Sequence, residues 1–75
     1  MLKKILEIVS IHISVSVDEL NEDMSFSELG MDSLTLMKII MAVENIFDVH
    51  FDDDEIVDLR LISDIAEVCV KKISG

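Results

Sequence analysis

The sequence predicts an all-α fold: a four-helix bundle with three main helices, one short third helix and a long first loop. Three observations carry that expectation. Apolar residues recur at helical spacing in three separate stretches. No hairpin signal is present, and a strand without a partner is not stable. The chain has 75 residues, 51% of them apolar, with no proline and only Gly30 and Gly75 as glycines. Such a length allows one domain, over residues 1–75, with one modest core. A domain of this size hides only about 60% of the surface its unfolded chain exposes. That leaves no room for a deep, water-free active site and disfavours a stand-alone enzyme.

The first helix is expected from Leu2 to about Ile13. Leu2, Ile5, Leu6 and Val9 follow one helical face, while Lys3, Lys4, Glu7 and Ser10 fall elsewhere. Ile8 and Ile11 blur the stripe, and the β-branched residues from Ile11 to Val17 have strand character. Residues 14–31 form a long connection rich in Ser, Asp, Glu and Asn. Loops longer than about 12 to 15 residues are uncommon unless functional or packed by their own side chains, so Phe26 and Leu29 should pin this one to the core. The second helix should start at Asp32 or Ser33, with Asp32 as N-cap, and run to about Phe47. Leu36, Ile39, Ile40, Val43, Ile46 and Phe47 make its broad apolar face; Ser33, Met37, Met41 and Glu44 make another. A short loop from Asp48 to Asp52 precedes a short acidic helix at about Asp54 to Leu59. The last helix should begin after Ser63, taken as its N-cap, and reach about Ile73. Ile65, Val68, Cys69 and Lys72 or Ile73 trace its inner face, and Lys71 and Lys72 suit the dipole of its final turn.

Sixteen acidic against six basic residues give a net charge of −10. Such a chain repels phosphate backbones and anionic lipid heads, so neither nucleic acid nor a membrane is expected as a partner. Basic protein surfaces are favoured instead, because opposite fields speed encounter. The lone cysteine, Cys69, cannot form an internal disulfide and reads as a small buried hydrophobe. The N-terminal apolar run is broken by Glu7 and lacks a cleavage site, and no stretch of about 18 apolar residues exists to span a membrane. A soluble, complete, cytoplasmic protein is the expectation.

The sharpest local feature is Glu28-Leu29-Gly30-Met31-Asp32-Ser33-Leu34. A serine opens a helix, beside a carboxylate, just after the chain's only internal glycine. A Ser or Asp in front of an apolar helical run is ordinarily a cap. A nucleophilic serine needs a base within reach, and nothing in the sequence places His12 or His50 beside Ser33. A different use fits the position. A phosphate-linked group attached to Ser33 by another enzyme would lie at a helix N-terminus, where free N–H groups and the dipole favour an anion.

Leu29-Gly30-Met31-Asp32-Ser33-Leu34 resembles the phosphopantetheine attachment site of acyl carrier proteins. The resemblance covers nearly the whole chain. It includes the length, the long first loop with Phe26 shortly before Leu29-Gly30, a helix ending in Glu44-Asn45-Ile46-Phe47-Asp48, the acidic third helix and the closing helix. It implies a free-standing acyl-carrier-like domain whose Ser33 receives 4'-phosphopantetheine from coenzyme A through a phosphopantetheinyl transferase. The terminal thiol of that covalent cofactor would hold acyl groups as thioesters for fatty-acid or polyketide-type enzymes. Asp32 is similar to the acid that helps dock the transferase. Leu34, Met37, Met41 and Glu44 match positions that contact partners. Those partners would be acyl-loading, condensing and acyl-transfer enzymes with basic docking surfaces, meeting a monomer. By the same resemblance Phe26, Leu29, Ile39, Val43, Phe47, Phe51, Leu59, Ile65 and Val68 would line the interior.

The chain departs from the family where Thr35, Lys38 and Asn45 replace the usual acids, and where Asp52 stands in place of a frequent proline. Helix two is therefore far less acidic than the net charge suggests, and the charge has moved to Asp52, Asp53, Asp54, Glu55 and Asp58. Those differences leave open an aminoacyl or peptidyl carrier of a specialised pathway, and an unmodified acidic helical adaptor. Dimerisation through the methionines is a further option for their stripe. No metal site is expected. The 52–58 cluster lacks the glycine that an EF-hand loop requires, and His12, His50 and Cys69 have no paired-ligand spacing.

Overall fold

The computed structural model describes residues 1–74; Gly75, the chain's last residue, lies outside the described residues. Four α-helices follow one another: α1 (Leu2–Ile13), α2 (Ser33–Phe47), α3 (Asp53–Val57) and α4 (Ile62–Ser74). A single 3₁₀ turn at Val17–Glu19 lies in the long connection between α1 and α2. The only extended pairing among the described residues is an isolated bridge between Ser25 and Leu61. The all-α bundle with one short third helix is the architecture expected from the apolar spacing.

α1 packs against both α2 and α4. Its buried residues are Ile5, Ile8 and Val9, so Ile8 belongs to the core stripe, while Leu2 and Leu6 sit half-buried at its edge. The strand-like stretch after Ile11 resolves into the last helical turn and a stop at Ser14. That residue takes a left-handed conformation at φ 57°, and its N–H donates to the Ser10 carbonyl.

α2 buries Ile39, Ile40 and Val43 and half-buries Leu36 and Phe47. Ile46 is half-exposed, against expectation, because it falls on the flank of that stripe. α2 stops at Asp48, also left-handed at φ 54°, and the N–H groups of Asp48 and Val49 both donate to the Glu44 carbonyl.

α3 begins one residue earlier and ends two residues earlier than the acidic run suggests. Asp52 is its N-cap, and Glu55 Oε1 accepts the Asp52 N–H at 2.8 Å. Leu59 lies past the end of the helix yet is buried, so its inward register does not require helix.

The start of α4 corrects the expected cap. Ser63 lies inside the first turn and donates its backbone N–H to the Glu22 carbonyl at 2.9 Å. The side chain that closes this end is Asp64, whose Oδ2 accepts the N–H groups of Arg60 and Leu61, both at 2.9 Å. Ile62, Ile65 and Cys69 face the core, Val68 is half-buried, and of the last pair Lys72 turns inward while Ile73 is exposed.

The core draws on every segment. Ile5, Val9, Ile39, Val43, Ile62, Ile65 and Cys69 have no exposed surface at all. Of the expected interior, Phe26, Phe51 and Leu59 are also buried, while Leu29, Phe47 and Val68 pack against the cluster from its edge. The long connection is held by Leu20 and Phe26, each removed from water at roughly 1.5–3 kcal/mol. It is also stitched by backbone bonds to the α3–α4 segment. The Phe26 N–H donates to Arg60 at 3.0 Å and the Ile62 N–H donates to Met24 at 3.1 Å.

Candidate functional site

The segment before α2 is built by its own side chains. Ser25 and Glu28 cap each other: Glu28 Oε1 accepts the Ser25 N–H at 2.9 Å and Ser25 Oγ accepts the Glu28 N–H at 3.0 Å. This reciprocal box starts a single turn over residues 26–30. The turn ends at Gly30, left-handed at φ 67°. The Met31 N–H then reaches back to Phe26 O at 3.0 Å, and the Gly30 N–H to Ser27 O at 3.1 Å. Those two bonds are the pattern of a glycine-ended helical turn. Met31 packs against the core, so the backbone emerges in a fixed direction.

Asp32 then caps α2. Its Oδ1 accepts the Thr35 N–H at 2.8 Å, and its carbonyl accepts the Leu36 N–H at 3.0 Å. The Thr35 backbone N–H, then the Thr35 hydroxyl, hold the Asp32 carboxyl below its ordinary range, and Lys38 adds a smaller attraction. Ser33 is the first residue of α2 and is exposed. As first and second helical residues, Ser33 and Leu34 have N–H groups without intrahelical acceptors. An exposed hydroxyl therefore stands beside unpaired donors at the positive end of a 15-residue helix. A phosphate ester on that hydroxyl fits this donor set.

Neither histidine is engaged with Ser33. His12 Nδ1 lies 2.9 Å from the Ile8 carbonyl of its own helix. His50 Nδ1 lies 3.3 Å from Glu44 Oε2, and His50 Nε2 lies 3.9 Å from Asp52 Oδ1. The Ser33 hydroxyl therefore has neither histidine as a base, and a nucleophilic serine needs one within hydrogen-bond reach.

Leu34, Met37 and Met41 are 65%, 40% and 62% exposed, a continuous apolar strip running down α2 from Ser33. Glu44 does not join them as a free acid. Its Oε2 accepts the Phe51 N–H at 2.7 Å, which seats the buried Phe51 and the 48–52 loop. Sequence reasoning did not find this role, nor the 2.9 Å ion pair between Lys72 Nζ and Glu55 Oε1 that joins α4 to α3. It also passed over the Ser25–Glu28 box, although the S-x-x-E spacing is visible in the sequence.

Comparison with known proteins agrees with this geometry. The family model for the phosphopantetheine attachment site matches residues 3–69. The chain is 35% identical over 71 residues to an acyl carrier protein of Nitratidesulfovibrio vulgaris, covering 93% of both chains. It is 31% identical over 70 residues to one from Bdellovibrio bacteriovorus, covering 92% of this chain and 90% of the relative. It is 39% identical over 59 residues to one from a Sulfurovum species, covering 77% of this chain and 79% of the relative. Among solved structures, the crystal structure of an acyl carrier protein from Thermotoga maritima is similar with a TM-score of 0.82 and 30% identity. That likeness covers 95% of this chain and 84% of the other.

Proposed function

Since the chain belongs to the acyl carrier protein family, whose members bear covalent 4'-phosphopantetheine and are carriers rather than enzymes, we propose that Ser33 is its attachment residue. The attached group supplies a thiol on a flexible arm, which holds acyl groups as thioesters. The chain's own residues do the rest. Gly30 and the Ser25–Glu28 box aim the backbone, Asp32 fixes the start of α2, and Ser33 presents its hydroxyl there. The N–H groups at the head of α2 favour the phosphate's negative charge once it is attached. The observation that carries this reading is the exposed serine at the head of α2, directly after a left-handed glycine and a capping aspartate.

On this reading the carrier domain receives its arm from a phosphopantetheinyl transferase. It then serves acyl-loading, condensing and acyl-transfer enzymes of fatty-acid or polyketide type as a cytoplasmic monomer. The high negative charge supports attraction to basic enzymes at long range. The exposed strip of Leu34, Met37 and Met41 supports close contact. No helix among the described residues is long and apolar enough to cross a membrane.

Intact mass before and after incubation with coenzyme A and a broad-specificity phosphopantetheinyl transferase tests the assignment. The wild-type chain should gain one phosphopantetheine, located by fragmentation on the Ser33 peptide. Ser33→Ala should keep its helical circular dichroism and gain nothing. A loaded Ser33→Ala protein would overturn the assignment.

A further inference from the structure

We propose that the enzyme surface receiving α2 is an apolar cleft that carries an acidic side chain opposite Lys38, rather than a uniformly basic patch. The inference rests on the reading of Ser33 as the loaded residue and of α2 as the docking element, and it names the chemistry of the partner at that site.

Within α2 the only charged residues are Lys38 and Glu44. Glu44 is turned inward. Its side chain is 25% exposed, and the same Oε2 that accepts the Phe51 N–H lies 3.3 Å from His50 Nδ1. A partner cation drawing that carboxylate outward would strand the amide of a buried residue, and a buried donor left unsatisfied is costly. Asp32, at the head of the helix, already gives a carboxylate oxygen to the Thr35 N–H. Lys38 is different. It is exposed and has no ion-pair partner within 4.0 Å among the described residues.

The face on offer beside Ser33 is therefore Leu34, Met37 and Met41, with Lys38 as its one charge lacking a direct ion-pair contact among the described residues. Methionine side chains adapt to an apolar cleft of irregular shape. Closing such a cleft strips water from the neighbouring ammonium, and an ammonium so treated needs a counter-charge. A carboxylate provides it; a lysine or arginine at that point would oppose it. The exposed acids Asp53, Asp54 and Asp58 belong to α3 and its end instead. Long-range attraction and close contact are thus assigned to different parts of the molecule. The summed negative charge draws a basic enzyme in, while α2 selects for an apolar surface with one acid.

The test is a charge exchange across the contact. Holo-protein, with Ser33 loading verified by intact mass, is acylated by an enzyme whose carrier-docking rim is basic. It is also acylated by forms of that enzyme with each rim cation changed in turn to glutamate. At least one glutamate form should acylate the wild-type carrier about fivefold faster than the parent enzyme does, the size of a good rim ion pair. Lys38→Glu should reverse that preference, and Lys38→Gln should fall between. If every glutamate form slows both carriers alike, the inference is overturned while the carrier function stands. If Ser33 takes up no arm at all, the mass measurement shows it first, and both readings fall together.

Discussion

Gly30 holds a φ of +67°, where an L-residue pays about 1–2 kcal/mol. A Cβ built there meets no atom within 4 Å, so backbone strain is the whole cost of a substitution. Gly30→Ala should lower stability by roughly 1 kcal/mol, or about 4–8 °C in melting temperature for a chain of this size. Gly30→Asn should lose less, because asparagine tolerates the left-handed region. Thermal unfolding followed by circular dichroism decides it; an alanine variant as stable as wild type would mean the turn does not depend on that conformation. Gly30 and Asp32 were legible in the sequence because each acts on the backbone within a few residues of itself. Glu44 was not. Its bond to Phe51 spans seven residues of chain and exists only because α2 stops at a left-handed Asp48 and the loop folds back. Periodicity places Glu44 on a face but says nothing of a loop that returns to meet it.

α3 is five residues long, buries none of its own side chains fully, and is held by its caps, by the half-buried Ile56 packed against the core and by one clasp to α4. Glu55 is the shared piece. The Asp52 N–H, then the Lys72 ammonium, hold the Glu55 carboxyl below its ordinary range, and the hydrogen bond to Glu55 holds Lys72 above its own. The signs give two separate limbs of pH dependence. The depressed Glu55 contributes stability above the ordinary glutamate range, and that part is lost as pH falls through its folded value. The raised Lys72 contributes below the ordinary lysine range, and that part is lost as pH rises through its folded value. Lys72→Gln should therefore shrink the alkaline limb to the part set by the Cys69 thiol, which burial pushes up, and keep most of the acid limb, since the backbone bond from Asp52 is the main cause for Glu55. Glu55→Gln should weaken both limbs. Melting temperatures of the three proteins across pH separate these outcomes, and an unchanged alkaline limb in Lys72→Gln would deny the clasp. The existence and type of the helices were legible because α1, α2 and α4 each carry a repeating apolar stripe. Their ends were less so. Ser63 has the right chemistry for a cap, but Asp64 outcompetes it because a carboxylate one residue later can reach two free N–H groups at once. The long connection could not be traced from sequence because the bonds of its Phe26 and Met24 to Arg60 and Ile62 join segments more than thirty residues apart.

At the scale of the whole molecule the charge is gathered rather than spread. Asp18, Glu19, Glu22, Asp23, Glu28 and Asp32 occupy the connection ahead of α2, and Asp48, Asp52, Asp53, Asp54, Glu55 and Asp58 surround α3. Against these, only two lysine ion pairs are present among the described residues, Lys4 with Glu7 at 3.9 Å and Lys72 with Glu55 at 2.9 Å. Added salt weakens both attraction and repulsion, so the sign of its effect depends on which is more numerous. Here two pairs stand to be weakened, one of them long and solvent-exposed, while ten of those twelve clustered acids have no partner within 4.0 Å other than their own neighbours. The Debye length shrinks from about 30 Å at 0.01 M to about 8 Å at 0.15 M, which screens repulsion across most of a domain of this size. Raising sodium chloride over that range should raise the melting temperature by several degrees, about the 4–8 °C that roughly 1 kcal/mol produces in a small domain. Most of that rise should come below 0.15 M, where screening changes fastest relative to the size of the molecule. A melting temperature that stayed flat, or fell, would show that the few attractive contacts outweigh the self-repulsion of a chain carrying −10.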